Sequence, residues 1–134
     1  MTALLKDLGA ITLFVEDLNA SKRFYEGVFG LDIVNEDAES VAFGFGNTIV
    51  NVVKIEAAGE LIEPAPVGDR TSGSRYMLTI WVDDADARIA DLAARGVTLL
   101  NGPIDRPWGQ RTATFSDPAG NVWEIAQNLP PRDG

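Results

Sequence analysis

Neither cysteine nor histidine occurs among the 134 residues. That double absence excludes disulfides, Cys/His zinc sites, cysteine nucleophiles and any Ser-His-Asp triad. Acid–base chemistry is left to Asp, Glu, Lys and Tyr. Basic residues are also scarce: 11 Lys and Arg against 20 Asp and Glu leave a net charge of −9. A field of that sign repels phosphate, so neither nucleic acid nor an anionic membrane surface is expected as a partner. Long apolar runs are missing as well. The N-terminal stretch MTALLKDLGAITLFVEDL is interrupted by Lys6, Asp7 and Glu16 before it reaches signal-peptide or membrane-span length. A soluble, uncleaved, cytoplasmic protein is expected, and the lack of cysteine fits a reducing compartment. Gly44, Gly46 and Gly109 form no phosphate loop, because no G-x-x-x-x-G-K pattern surrounds them.

What the chain does contain is a repeat. Ile11–Ala20 reads ITLFVEDLNA and Leu78–Ala87 reads LTIWVDDADA. Each has an apolar run with Thr second, then Val, then an acidic pair ending in Asp. A helical stretch closing at glycine follows in both: SKRFYEGVFGL with Gly30, RIADLAARGV with Gly96. Each half then ends in strand-like runs around a Gly-Asn turn, VAFGFGNTIVNVV and TATFSDPAGNVWEIA. Period and caps predict strands over 9–15, 77–82, Val41–Phe45, Ile49–Ile55, Thr112–Phe115 and Val122–Ala126. They predict helices over Ala20–Val28, capped by Asp17 or Asn19, and Ala85–Ala94, capped by Asp84. The order read is β-α-β-β-β, twice, of which these spans place three strands in each half. Residues 56–75, EAAGELIEPAPVGDRTSGSR, are rich in Pro, Gly and Ser and are expected to link the halves without regular structure.

These residues carry a resemblance. A strand ending VEDL, a helix with FY and then GVFGL resemble the vicinal-oxygen-chelate superfamily. So do LTIWVDDADARIADLAARGV and DRPWGQRTATFSDPAGNVWEI in the second half, and the F-x-DPAGNxWEI block is the most specific part. The superfamily includes glyoxalase I, extradiol dioxygenases, fosfomycin-resistance enzymes and bleomycin-resistance binding proteins, and the likeness spans residues 8–127. It implies an α+β fold in one domain over 1–134. Module one would cover 8–55, a linker 56–75 and module two 76–127. The two βαβββ modules would form a cup-shaped mixed sheet with helices on the outer face, within a homodimer. It also implies a divalent metal held by side chains on the inner strands. Carried over by position, the ligands would fall near Ala10, at Val53 (with Val50 and Asn51 as alternatives), at Met77 and at Glu124. Only Glu124 is a metal-binding side chain of the expected type.

One carboxylate does not hold a catalytic transition metal, which needs about three protein ligands in fixed geometry. The densest acidic cluster, Asp83, Asp84 and Asp86, lacks the calcium-loop spacing. It sits where a strand turns into a helix, as Glu16 and Asp17 do in the first module, and carboxylates favour a helix N-terminus. No metal and no cofactor are therefore expected, a divalent ion being the disfavoured alternative.

Strand alternation then suggests what fills the cup. Ile11, Leu13, Val15, Leu78, Ile80 and Val82 form an aliphatic set that should pack under the helices. The other face carries Ala10, Thr12 and Phe14 in one module and Met77, Thr79 and Trp81 in the other. Aromatic bodies with a few polar tips line small-molecule sites, although Phe14 and Trp81 could equally fill a dry barrel or a dimer interface. Glu124 shares its strand face with Val122 and Ala126 and should point among apolar groups. There a carboxylate must carry a proton, pair with a cation or meet a ligand's donor. Arg111 and Arg75 are the candidate cations. A structural Glu–Arg pair, a ligand anchor and a lone general acid or base are all open for Glu124. The loop of residues 101–111, NGPIDRPWGQR, carries Trp108, which either closes over a ligand or covers the sheet edge.

The expected function is metal-free binding of a small organic molecule, resembling the bleomycin-resistance branch. The candidate contacts are Thr12, Phe14, Asn51, Met77, Thr79, Trp81, Trp108, Arg111 and Glu124. The net charge favours a cationic ligand, and the lining an aromatic one. The alternative is a glyoxalase-like lyase or dioxygenase with an atypical metal site, for which Glu124 is the tentative catalytic group.

Overall fold

A computed structural model describes residues 3–131. Met1 and Thr2, which open the N-terminal stretch read above, lie outside the described residues. The chain divides into two compact units, with the boundary between Ser72 and Gly73.

The first unit is built from β1 (Ala10–Val15), α1 (Leu18–Gly27), β2 (Ile33–Glu36), β3 (Ser40–Gly44), β4 (Ile49–Lys54) and α2 (Ile55–Ile62). Its four strands lie in the order β1-β4-β3-β2, with β1 parallel to β4 and the other pairs antiparallel. Alternation sends Leu13, Val15, Val41, Phe43, Val50 and Val52 to one face, and all six are buried. Tyr25 of α1 is buried over them, its ring 5.7 Å from Phe43 and 5.2 Å from Phe29. Burying each of these large side chains is worth roughly 1.5–3 kcal/mol. Asp17 caps α1 by accepting the Ala20 N–H at 3.0 Å. Its neighbour Glu16 does not cap; it accepts the Arg70 N–H at 3.1 Å.

Residues 56–75, expected to be irregular, contain α2 and a 3-10 turn at Arg70–Ser72. The Pro and Ser content that suggested a linker lies beyond residue 63. Ile55–Ile62 itself is IEAAGELI, in which Glu, Ala and Leu favour helix and outweigh the single Gly59. The helix stops at Glu63, the residue before Pro64, where α backbone is disfavoured.

Asp37 makes the turn from β2 to β3. One carboxylate oxygen accepts the Glu39 N–H at 2.8 Å, the Ser40 N–H at 2.9 Å and the Ser40 hydroxyl at 3.2 Å. These donors, the Glu39 amide foremost, hold its carboxyl below the ordinary value of 3.8. A pKa lowered by folding contributes stability that is complete above the unfolded value and lost as pH falls through the folded one. Acidification below 3.8 is therefore expected to shift the Glu39 and Ser40 amide resonances with a common midpoint under that value. Titration of those two amides with unrelated midpoints would show that Asp37 does not hold the turn.

The second unit repeats the plan with β5 (Leu78–Trp81), α3 (Ala85–Ala94), β6 (Asn101–Arg106), β7 (Gln110–Ser116) and β8 (Val122–Asn128), in the order β5-β8-β7-β6. Strand β5 runs parallel to β8, and the β7/β8 and β6/β7 pairs are antiparallel. Ala113, Phe115, Trp123 and Ile125 form its buried face. Asp84 caps α3 through the Ala87 N–H at 3.0 Å, and Gly96, at φ +84°, ends it in the left-handed region. Of the acidic cluster, Asp84 is thus a cap and Asp86 an ion-pair partner of Arg111 at 3.0 Å.

Residues 101–111 are a β-hairpin and not a loop. The Gly102-Pro103 dipeptide masked the strand, yet β6 is the edge of the sheet, where a proline leaves no ladder donor missing inside it. The pairing slips between Asn101 and Ile104 and resumes at Ile104↔Thr112. Trp108 lies in the hairpin's turn, closed by the Gly109 N–H donating to the Arg106 carbonyl at 3.0 Å. Among the described residues no helix is long and apolar enough to cross a membrane.

Candidate functional site

Register shows which side chains share a rank across each sheet. In the second unit Glu124 lies between Thr79 of β5 and Thr114 of β7, and Ala126 lies between Trp81 and Thr112. In the first, Asn51 lies between Thr12 and Ala42. The repeat therefore makes Asn51 the counterpart of Glu124, and Thr12 that of Thr79. Val53, the first choice on that strand for a family-type ligand, is buried in the next rank beside Phe14, and Val50 is buried on the opposite face.

The second unit's face away from α3 holds most of the predicted residues. Glu124 is half-buried, and its Oε1 accepts the Thr79 hydroxyl at 2.9 Å. Among the described residues its Oε2 has no hydrogen-bond partner. Thr114, on the other side of the rank, is 5% exposed and its hydroxyl bonds nothing. Trp81 and Met77 are exposed. The expectation that Glu124 points among apolar groups held only along its own strand. Its neighbours across the sheet are hydroxyls, which alternation within one strand does not reveal.

Arg111 is not the partner of Glu124. It pairs with Gln127 in register, an odd-numbered position of the buried face on which α3 packs. There its guanidinium bonds Asp105 at 2.7 and 3.2 Å and Asp86 at 3.0 Å. Its donors are engaged on the face opposite the candidate site, which removes it from the ligand set. Arg75 is exposed, before β5. Thr12 is exposed, and Phe14 and Asn51 are half-buried, all three in the first unit.

A cation does lie on the Glu124 face: Arg106. It pairs with Gln110, and its Nε donates to the Thr112 hydroxyl at 3.0 Å while its Cζ lies 5.8 Å from the centre of the Trp108 ring. The Trp108 Nε1–H donates to Gln110 Oε1 at 3.1 Å, and Gln110 Nε2 to Asn128 Oδ1 at 3.1 Å. Sequence reading missed Arg106, Thr112 and Thr114. The alternation of Gln110, Thr112 and Thr114 was present in β7, but nothing in one strand says which of its faces lies beside Glu124.

Metal binding can be judged from the donors. Of the four family positions, Ala10, Val53 and Met77 supply no suitable atom, and Asn51 offers only an amide beside Thr12. No group of three or more Asp or Glu that could hold an ion occurs among the described residues. A family-type centre of about three protein ligands does not fit this donor set.

The model of the Glyoxalase/Bleomycin resistance protein/Dioxygenase superfamily matches residues 7–125. The chain belongs to that superfamily. It is 32% identical over 123 residues to the Bacillus subtilis protein "Uncharacterized protein YraH", covering 89% of this chain and 96% of that protein. It is 30% identical over 107 residues to "Putative glyoxylase CFP32" of Mycobacterium tuberculosis, covering 80% of this chain but 38% of that protein. The crystal structure of a glyoxalase/bleomycin resistance protein/dioxygenase from Nocardioides superposes with a TM-score of 0.85 at 24% identity, over 99% of this chain and 93% of that one. That likeness shows the fold, a pair of four-stranded mixed sheets with helices packed on them. Superfamily membership gives the scaffold; what the site does rests on its own residues.

Proposed function

We propose that this superfamily member binds a small organic molecule on the Glu124 face of its second sheet, without a resident metal. The observation that carries the reading is the state of Glu124. Thr79 fixes the carboxylate through Oε1, Oε2 has no partner among the described residues, and Glu124 belongs to no group of three or more acids there that could hold an ion. A half-buried carboxylate flanked by a buried threonine and an exposed tryptophan is an acceptor for a ligand's N–H or O–H. A partly aromatic ligand with one such donor suits the surroundings, and the net charge of −9 favours a cationic donor. Cytoplasmic location and a homodimer belong to the same proposal.

Native mass spectrometry of protein purified without added metal or chelator tests it. A metal-free dimer, with or without an organic adduct, is expected, and a stoichiometric divalent ion would overturn the reading. The lyase or dioxygenase alternative, supported by the relative named as a putative glyoxylase, predicts that ion. In solution, Glu124→Gln should weaken binding of benzylammonium, an aromatic ring with a cationic donor, by about tenfold. Because Glu124 is half-buried, stability should change by no more than about 1 kcal/mol. A large stability loss with unchanged binding would make Glu124 structural.

A further inference from the structure

We propose that Arg106 forms an anion subsite on this face, taking the carboxylate of a small aromatic acid. The inference rests on the reading that the Glu124 face binds a small molecule, and it names the class of that molecule.

Two of the second unit's other arginines are held in ion pairs. Arg111 is engaged by Asp105 and Asp86, and Arg88 by Asp91 at 3.1 Å. Arg106 has no carboxylate within ion-pair distance among the described residues, in a chain where acids outnumber bases 20 to 11. Its neighbour Asp105 is turned to the opposite face and spent on Arg111. A half-buried guanidinium without a counter-ion is partly desolvated and attracts an anion more strongly than one in open water.

The head is also held in place. The Thr112 hydroxyl accepts the Nε–H and the Trp108 ring lies against the guanidinium, while Gln110, itself bonded to Asn128, holds the indole. Ordering a free arginine normally costs affinity, and here the fold has already ordered it. With Nε committed, the edge carrying the two terminal nitrogens presents parallel donors that match the two oxygens of a carboxylate.

The surroundings point to an aromatic body. Trp108 is 66% exposed beside the guanidinium, and Trp81 is 65% exposed in the same rank as Thr112, two strands away. An aromatic ring can lie against the exposed Trp108 while its acid group meets the guanidinium beside it. The Glu124 rank lies one step along from that of Thr112. The net negative field favours cations at long range, but it is screened beyond about 8 Å at physiological salt, so contact with Arg106 governs the acid group.

The test compares benzoate with benzamide, the same ring without the charge, by following the Trp108 indole N–H and the Arg106 Nε–H resonances. Benzoate should shift both saturably and bind at least about tenfold more tightly than benzamide. Arg106→Gln should abolish that preference, and Thr112→Val, which keeps the charge but frees the head, should reduce it. Because the preference is a ratio within each variant, a general loss of stability does not mimic the effect. Equal binding of the two probes by the unmodified protein, or a preference that survives Arg106→Gln, would overturn the proposal. The benzylammonium titration of Glu124→Gln separates the two ideas. If benzoate selectivity depends on Arg106 while benzylammonium ignores Glu124, the subsite stands and the Glu124 anchor falls; the converse pattern removes the subsite alone.

Discussion

Gly102→Ala is expected to destabilise the second unit by about 3 kcal/mol or more, through backbone strain and overpacking together. Gly102 has φ +101°, where side chains with a Cβ are strained, and it lies where β6 slips in register against β7. A Cβ built there would sit 2.6 Å from the Thr112 carbonyl oxygen and 2.7 Å from the Ala113 Cα. Both belong to the backbone of a central strand buried on each side, so neither can yield without breaking the ladder to β8. Gly109 is the internal control. Its φ is +89°, but nothing lies within 4 Å of its built Cβ, so Gly109→Ala should cost only the backbone strain, about 1 kcal/mol. Urea unfolding of the two variants reads the difference, and equal midpoints would refute the close-approach argument. The site should feel Gly102→Ala as well. Pushing β6 off β7 moves Arg106 away from Thr112, so benzoate selectivity should fall although every contacting side chain is intact.

The second large effect is expected at Asp117, which is 4% exposed in the turn before β8. Its carboxylate accepts the Ala119 N–H at 2.9 Å, the Asn121 N–H at 2.8 Å and the Asn121 side-chain amide at 3.0 Å. Bonds to a charged acceptor are worth roughly 1.5–3 kcal/mol each and do not add fully, so Asp117→Ala should cost about 3–5 kcal/mol in urea unfolding. The loss should reach the site. Asn121 also accepts the Tyr76 hydroxyl, whose pKa is raised first by burial and then by the Asp117 charge. That chain joins the residues just before β5 to those just before β8, the strands carrying Thr79 and Glu124. Tyr76→Phe, which removes one bond and no charge, should cost about 1 kcal/mol. If Asp117→Ala cost no more than Tyr76→Phe, the carboxylate would not be the centre of the network.

Much of this architecture was legible before any coordinates. Apolar alternation at Leu13 and Val15, the capping acids Asp17 and Asp84, and the glycine after α3 are local signals, and each element they mark formed within a residue or two. The repeat ITLFV/LTIWV carried the doubled βαβββ order, because one local grammar repeated yields one topology twice. Reading went astray where a strong local marker hid a weaker pattern. Pro64 and the serines masked the helix at Ile55–Ile62, and Gly102-Pro103 masked an edge strand that tolerates them.

The site divides along the same line. Sequence alone excluded cysteine and histidine chemistry, left Glu124 as the single family-type donor, and put Thr79 and Trp81 together on one face of their own strand, since alternation along a strand is a one-dimensional property. Which strand lies beside which, and in what register, is set by pairing between residues as far apart in sequence as Thr79 and Glu124. Only the tertiary structure could therefore put Thr79 and Thr114 on either side of Glu124, send Arg111 to the opposite face with Asp86 and Asp105, and bring Arg106 onto the face that Arg111 had been expected to serve.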